Sequence, residues 1–426
     1  MAKMPDRLWL KILLGLLLGV LAGALLGPDL GLVSAKAAGT LSSWLALPGN
    51  LFIDLIRFIV IPLVISSVAL GIAGSGSAKL VQKLGVAILG FFLVMIVVSA
   101  SISIAITWVL KPGAYFNRAA MESAGTVAAN VPMPTSIAVD IPSAIIDLIP
   151  PNPFTALSEG NMLEIIIAAA IFGAALLVMR AAEAAPLRHL LESVQAASLT
   201  VINFLMRFAP IAVFGLLAKV MITNGLGVLV GFGAYIGTFL LVLAVILVIY
   251  AVIVAALGRN PFEFARNIRE PFLLGFSTSS SSATMPVTLQ TAETKLGISP
   301  TVSRMVIPLG TTINMDGTAA YQACVVVFLA QVFGIDLSVG QLVMLVLLSI
   351  AASVGAPGTP GGVLAILVGV LSQFGIPPEG FAIVLAVDRI LDMSRTTVNI
   401  TGDLVTSAFV QKISGFGGQV PLKKTS

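Results

Sequence analysis

The chain has 426 residues, of which 58% are hydrophobic and only 10% are charged. Soluble domains carry about 25% charged residues, so this composition and a mean hydropathy of +1.07 exclude a water-soluble protein. The net charge of +4 does not require a nucleic-acid partner, because much of the Lys and Arg stands in short loops between apolar runs. The single cysteine, Cys324, excludes a disulfide framework or a cysteine-based metal site within one chain.

Six apolar runs come first, and each can cross a bilayer core, which takes about 20 helical residues. We predict an all-α integral membrane protein, since an open sheet cannot satisfy its backbone groups in lipid. A polar, proline-rich stretch at 111–160 separates the third and fourth spans. The six predicted spans cover residues 8–27, 43–71, 83–110, 161–180, 193–222 and 225–257.

Lysine and arginine fall in the loops that six spans place on one face, which is typical of the cytoplasmic side. This pattern predicts that both termini are cytoplasmic and that 111–160 lies outside. We expect a prokaryotic inner membrane, since the sequence shows no targeting segment. The residues that set this orientation are Lys3, Arg7, Lys11, Lys79, Lys83, Arg180, Arg188, Arg259, Arg266, Arg269, Lys412, Lys423 and Lys424.

After residue 269 the apolar runs are interrupted by small polar residues and glycines. Residues 278–282 read Thr-Ser-Ser-Ser-Ser, 314–318 read Asn-Met-Asp-Gly-Thr, and 355–362 read Gly-Ala-Pro-Gly-Thr-Pro-Gly-Gly. Irregular backbone at membrane depth is tolerated only where protein covers it or it lines a cavity, and such breaks point to a transporter binding site. We predict re-entrant hairpins at 262–292 and 340–372, a seventh span broken at 314–318, and an eighth span at 380–411.

The strongest signal is a stripe of polar residues along the last helix. At 100° per residue, Asp388, Asp392, Arg395, Asn399 and Asp403 fall within an arc of about 80°. Intramembrane charges are costly and usually face a cavity or each other. A salt-bridge network that only joins helices is the alternative to a binding site.

The residue types in this stripe suggest what the site binds. An arginine fork suits a carboxylate, and an aspartate suits an ammonium. Arg395 and Asp392 are three residues apart, hence neighbours on the helix, and together they fit a zwitterion with an extra carboxylate. Asp403 and Asn399, with carbonyls of broken helices, fit a hard cation, which takes oxygen ligands.

Four features occur in the order found in one family. They are the serine run at 278–282 (the serine tip), the 314–318 motif, the Gly/Pro run at 355–362 (the Gly/Pro tip) and the polar stripe of the last helix. They resemble the dicarboxylate/amino acid:cation symporters, which include the glutamate and aspartate transporters. The resemblance implies a homotrimer with eight spans and two re-entrant hairpins per subunit, working as an elevator. Scaffold helices would lie in 1–82 and 111–222, and the moving transport domain in 83–110 and 223–426.

The resemblance also implies roles for individual residues. Arg395 would bind the side-chain carboxylate of an acidic amino acid, and Asp392 its amino group. Relatives for neutral amino acids lack the arginine, and Asp392 argues against the C4-dicarboxylate branch, whose substrates have no ammonium. The substrate site would be completed by Asn399, Thr396, Thr318, Ser281, the backbone at Ser279 and the Thr359 region.

For cations, the resemblance implies up to three sodium sites. The first would use Asp403, Asn399, Asn314 and the Gly310 carbonyl, and Met315 in the same motif is a further candidate. Carbonyls near Thr312, Ser353, Val354 and Ala356 would form the second. The third uses Asp316 and Asn314 with third-span hydroxyls, but residues 91–96 read Phe-Phe-Leu-Val-Met-Ile here.

An unusual arginine bears on ion coupling. The family's extra arginine usually stands where this chain has Ser279 or Met393, whereas Arg389 is charged here. Arg389 is a coupling candidate expected near Asp316 or Asp388, because a fixed guanidinium can replace a bound cation electrostatically.

We therefore expect a symporter for L-aspartate or L-glutamate coupled to Na⁺ or H⁺, without a cofactor or enzymatic activity. The expected partners are the amino acid, the cation, the bilayer and two further copies of the chain. A C4-dicarboxylate or neutral amino acid symporter of the same family, or an ion channel, are the alternatives. A channel would need identical rings around a pore, which this asymmetric set of residues does not suggest.

Overall fold

The computed structural model describes residues 8–27, 30, 32–73, 79–116, 152–159, 162–205, 207–225, 228–355 and 362–414. This part of the chain is helical and contains no strand, as the sequence predicts. A short 3₁₀ turn, Pro112–Tyr115, follows the third helix. The helices of the described part are α1 (Leu8–Leu26), α2 (Ala35–Ala73), α3 (Lys79–Leu110), α4 (Pro153–Glu159), α5 (Met162–Val178), α6 (Ala181–Leu205), α7 (Ala209–Asn224), α8 (Val228–Ala256), α9 (Pro261–Thr278), α10 (Ser281–Thr294), α11 (Pro300–Ile313), α12 (Asp316–Phe333), α13 (Val339–Gly355), α14 (Gly362–Gln373) and α15 (Pro378–Ser414).

The predicted fifth span, 193–222, is in fact two helices. α6 begins at Ala181 and ends at Leu205, and α7 begins four residues further on. Pro210 stands in the first turn of α7. Proline has no backbone N–H, and its ring collides with the carbonyl four residues earlier, which favours ending α6 before this position.

The predicted second span, 43–71, is contained in a longer and bent helix. α2 has 39 residues and contains Pro48 and Pro62. Its two straight parts meet at an angle of 41°. The bend lies just before Pro62, where proline removes a helical hydrogen bond.

Three helical segments of the described residues are long and apolar enough to cross a membrane: Gly85–Tyr115, Leu229–Ala256 and Pro300–Phe333. The bent α2 is a fourth if it is counted as one span. Shorter apolar helices occur in α1, α5, α7 and α13. The predicted total of eight spans remains a prediction.

The helices pack in two groups. α2 lies against α5, α6 and α7, and α1 lies against α7. In the second group α3 packs along α12, and α15 contacts α8, α9, α11 and α12. α12 is buried along its length apart from Gln331. The polar stripe of α15 therefore faces the break between α11 and α12.

Each of the two segments predicted as hairpins contains two helices. α9 and α10 pack against each other around the serine run, and α10 also packs on α11. α13 and α14 flank the Gly/Pro segment, whose residues 356–361 lie outside the described part of the chain. The bounds of these helices agree with the segments predicted at 262–292 and 340–372, and the re-entrant hairpins remain a prediction.

Candidate functional site

Arg395 lies at the centre of a buried cluster of charges on α15. Its Nη1 atom is 3.2 Å from Asp388 Oδ1, and its Nη2 atom is 2.8 Å from Asp392 Oδ1. The arginine side chain is 1% exposed, and both aspartate side chains are 7% exposed. Spacings of three and seven residues place all three groups on one face of the helix. A buried charge is tolerable only when it is paired in this way.

Tyr321 of α12 completes this cluster and was not predicted from the sequence. Its hydroxyl donates a hydrogen bond of 2.5 Å to Asp388 Oδ1, and its ring lies beneath the Arg395 guanidinium, 4.1 Å from Cζ to the ring centroid. Cation–π contact of this kind orients an arginine fork. The sequence feature that could have pointed to Tyr321 is its place inside an apolar run. A buried phenol usually needs a hydrogen-bond partner, so such a tyrosine indicates a polar group nearby.

Arg389 contacts Asp392, whereas the sequence suggested Asp316 or Asp388. Its Nη1 atom is 3.4 Å from Asp392 Oδ2. The side chain is 13% exposed, and its buried Nε atom has no hydrogen-bond partner. The i, i+3 spacing on α15 brings the two groups together.

The break between α11 and α12 is held by Asn399 of α15. Asn399 Oδ1 accepts a hydrogen bond of 2.8 Å from the backbone N–H of Gly317, one of the first-turn donors that a helix leaves unsatisfied. Asn399 Nδ2 lies 3.3 Å from Thr318 Oγ1 and 3.3 Å from Met315 Sδ. Four of the predicted site residues are thus brought together, because Asn314 also donates to the Asn399 carbonyl at 3.1 Å.

Asp403 and Asp316 bring two further carboxylates to the same break. Asn314 Nδ2 donates to Asp403 Oδ1 at 2.9 Å, and both aspartates are buried. Tyr250 of α8 donates a hydrogen bond to Asp316 Oδ2. Asp316 Oδ1 and Asn314 Oδ1 are buried without a donor. Buried acceptor oxygens without a donor call for an explanation such as an ion, and oxygen is the ligand that hard cations take.

Two glycines allow the backbones to approach at this point. A Cβ atom added at Gly310 would collide with the Asp403 carboxylate, so this predicted ligand does lie against Asp403. The Gly310 carbonyl accepts the Asn314 N–H at 2.9 Å. A Cβ at Gly402 would lie 2.5 Å from Asn314 Nδ2 and 3.0 Å from Asp316 Oδ2. α15 can therefore touch the broken helix only because it carries glycine there.

The serine tip reaches α15. Ser279 has a left-handed backbone with φ of 52°, and its buried hydroxyl has no hydrogen-bond partner. Ser280 caps α10 by accepting from Ala283 N at 3.2 Å, and Ser281 is buried. One turn before the tip, a Cβ at Gly275 would contact the Ile400 and Thr396 side chains of α15. The first hairpin thus lies beside the predicted substrate residue Thr396.

The second cation site, which would use backbone carbonyls near Thr312, Ser353, Val354 and Ala356, remains a prediction. Thr312 is exposed, and its hydroxyl donates to Leu309 O at 3.0 Å. Ser353 of α13 is buried with an unpartnered hydroxyl, and Val354 follows it on the same helix. Ala356 and Thr359 fall outside the described residues, so those two assignments remain predictions.

Ser99 of α3 is a further candidate that the sequence reasoning missed. Ser103 Oγ donates to the Ala320 carbonyl at 2.6 Å, and four residues later Thr107 Oγ1 lies 3.3 Å from Cys324 Sγ. α3 and α12 therefore run parallel, each advancing one turn between these contacts. Extending this register by one turn predicts that Ser99 lies level with Asp316. The Ser99 hydroxyl is buried without a partner, so α3 carries a free hydroxyl although residues 91–96 have none.

A separate cavity of about 360 Å³ lies between α8, α9 and α15. Its walls are almost wholly apolar, and Arg269 is the one charged side chain among the described lining residues. Tyr250 and Thr401 form part of the wall. Since the Arg395 cluster lies outside this lining, the cavity is not assigned to the substrate.

Residues 8–413 match the sodium:dicarboxylate symporter family. The chain belongs to the sodium:dicarboxylate symporter family. This confirms the resemblance that the motifs indicate. This membership and the apolar helices together identify the chain as an integral membrane protein of a transporter family.

The chain is also similar to several named symporters over most of its length. It is 33% identical over 376 residues to a proton/sodium-glutamate symport protein of Bacillus subtilis (strain 168), covering 88% of this chain and 87% of the relative. It is 32% identical over 370 residues to a proton/glutamate-aspartate symporter of Escherichia coli (strain K12), covering 85% and 84%. A proton/sodium-glutamate symport protein of Bacillus caldotenax is 31% identical over 86% of this chain and 87% of its own length.

Proposed function

We propose that the chain is a secondary symporter that imports L-aspartate or L-glutamate together with Na⁺ or H⁺. The observation that carries this proposal is a fully buried Arg395 held between Asp388 and Asp392 at a break in the membrane helices. The names of the three relatives, which describe glutamate and aspartate symport with protons or sodium, support the same substrate and ions.

An acidic amino acid can enter this cluster by exchange of ion pairs. The substrate's side-chain carboxylate takes the place of an aspartate on Arg395, and its ammonium takes the place of the guanidinium on Asp392. Arg395 and Asp392 then each keep a charged partner throughout binding. A ligand lacking the side-chain carboxylate or the ammonium removes one of these partners, which is unfavourable in a buried site.

Charge balance supports coupling to a cation. Six buried or nearly buried charged side chains line the described site: Asp316, Asp388, Asp392, Asp403, Arg389 and Arg395. Four are acidic and two are basic, so the ionised site has two negative charges in excess, and an acidic amino acid adds another. Moving such charge through a bilayer is costly. Bound Na⁺, or protons on the carboxylates, would offset it.

The same proposal includes the sites of these cations. Asp403, Asn314, Asn399 and the Gly310 carbonyl would hold one sodium ion, and the mutual contacts of these four residues support this set. Asp316 would hold another sodium ion, at the third of the predicted sites, and Ser99 of α3 would supply its hydroxyl. No resident cofactor is proposed.

We further propose the architecture implied by the family. Eight spans and two re-entrant hairpins would form a scaffold (1–82 and 111–222) and a transport domain (83–110 and 223–426), assembled as a homotrimer that works as an elevator. The two packing groups support this division, because α2 contacts α5, α6 and α7 and α1 contacts α7, whereas α3, α8, α9, α11 and α12 gather with α15. The proposed location is a prokaryotic plasma membrane with both termini in the cytoplasm.

Competition of uptake tests the substrate assignment. Cells expressing the chain should take up labelled L-aspartate, and excess L-glutamate should block this uptake whereas excess L-alanine should not. Equal block by L-alanine would instead make the chain a neutral amino acid symporter. Block by succinate without block by L-glutamate would place it with the C4-dicarboxylate carriers.

A further inference from the structure

Two arginines share Asp392, and each uses a different oxygen. Arg395 Nη2 lies 2.8 Å from Oδ1, and Arg389 Nη1 lies 3.4 Å from Oδ2. Asp388, by contrast, contacts Arg395 and the Tyr321 hydroxyl through its Oδ1 atom. Among the described residues, Asp392 is therefore the carboxylate with two guanidinium partners.

The two arginines differ in what they can do when substrate arrives. Arg395 is in contact with both aspartates and is the fork proposed to turn toward the substrate's carboxylate. Once it turns, Asp392 Oδ1 is free for the substrate's ammonium. Arg389 holds the other oxygen and has no described contact with Asp388 or with Tyr321. It can thus stay on Asp392 while the exchange takes place.

This arrangement matters most for a ligand without an ammonium group. Such a ligand would engage Arg395 and, in the absence of Arg389, leave Asp392 ionised and unpaired in a buried site. Sites that pair a substrate's polar group reject analogues lacking it for this reason. With Arg389 in place, Asp392 keeps one charged partner, and this rejection is weakened.

We propose, as an inference that rests on the proposed function, that Arg389 is a specificity-determining residue. It sets how strictly the site requires an ammonium group on the substrate. A dicarboxylate of the same chain length as aspartate but without its amino group is then accepted as a weaker ligand. Replacing Arg389 removes the standing partner of Asp392 and makes the ammonium indispensable. Arg389 acts through Asp392 and does not touch the substrate.

Calorimetric binding to the purified full-length protein tests this proposal. Affinities for L-aspartate and for succinate are measured in one sodium-containing buffer at a fixed pH, for the wild type, Arg389→Ala, Arg389→Lys and the exposed control Arg304→Ala. Binding of L-glutamate is also measured for the wild type. We expect the wild type to bind both ligands. In Arg389→Ala, the affinity for succinate should fall about tenfold or more relative to that for L-aspartate. In Arg389→Lys, the ratio of the two affinities should return toward the wild-type value. In Arg304→Ala, this ratio should not change.

Two results would overturn the inference. They are an unchanged ratio of the two affinities in Arg389→Ala, whether or not both fall, and the absence of succinate binding by the wild type. An equal loss would mean that Arg389 only supports the fold. If the wild type bound neither L-aspartate nor L-glutamate, the proposed function would fail as well, and this outcome is distinguished by the wild-type measurement alone.

Discussion

Tyr250 on α8 donates its hydroxyl hydrogen to the carboxylate of Asp316, the first residue of α12. The two residues belong to different helices, 66 positions apart in sequence. The bond ties a long apolar helix to the break where cations are proposed to bind. It leaves the other oxygen of Asp316 without a donor, free for an ion.

Replacing Tyr250 with Phe should weaken cation coupling, because Asp316 loses the donor that fixes its carboxylate. A hydrogen bond to a charged group contributes about 1.5–3 kcal/mol. The cation concentration for half-maximal L-aspartate uptake should therefore rise about tenfold or more. The control is Tyr235→Phe on the same helix, where the buried ring stacks on Phe328 at 4.3 Å. Similar shifts in both variants would remove Tyr250 from the cation site.

Replacing Arg395 with Cys should abolish binding of acidic substrates. The change removes the partner of the substrate's side-chain carboxylate, and breaking a buried ion pair costs about 3–5 kcal/mol, which corresponds to a loss of affinity of about 100-fold or more. Binding of L-glutamate and of the neutral amino acid L-serine is measured for this variant and for the exposed control Arg304→Cys. Gain of L-serine binding would show that the variant is folded. Retained L-glutamate affinity would contradict the role of Arg395.

Replacing Asp392 with Ala should weaken the binding of amino acids generally, because it removes the partner of their ammonium group. The loss should be larger for L-aspartate than for succinate, which has no ammonium to pair. Asp336→Ala, in the exposed turn after α12, serves as the matched control. Affinities come from calorimetry on the purified protein. Unchanged affinity for L-aspartate would show that another group receives the ammonium.

Replacing Gly402 with Ala should destabilise the protein. The new methyl group would press on buried polar atoms of Asn314 and Asp316, and overpacking of this kind costs about 1–3 kcal/mol. Thermal unfolding in detergent measures the effect. Gly233→Ala on α8 is the control, since a Cβ there meets nothing within 4 Å. Equal melting temperatures for Gly402→Ala and the wild type would show that α15 does not approach the break this closely.

Local sequence signals predicted most of the helices. Long apolar runs gave α1, α3, α5 and α8 nearly at their observed bounds, because a helix that spans lipid satisfies its own backbone groups. The split between α6 and α7 was missed although Pro210 is a helix breaker. The largely apolar composition on both sides concealed the break, although Arg207 lies within it.

The candidate site was predictable where its residues share one helix. The 3.6-residue period alone placed Asp388, Asp392 and Arg395 on one face, and the structure joins them as ion pairs. Partners from other helices could not be found in this way. Tyr321 and Tyr250 reach the site through tertiary packing, which a helical period in one segment does not encode.

Accumulation of labelled L-aspartate in proteoliposomes tests the central claim most directly. One set of vesicles carries an inward sodium gradient, a second carries an inward proton gradient, and a third has neither. We predict accumulation above the third set in at least one of the first two, with the responsive set identifying the coupled ion. Uptake that equals the gradient-free vesicles in both sets would contradict cation-coupled transport of acidic amino acids by this chain.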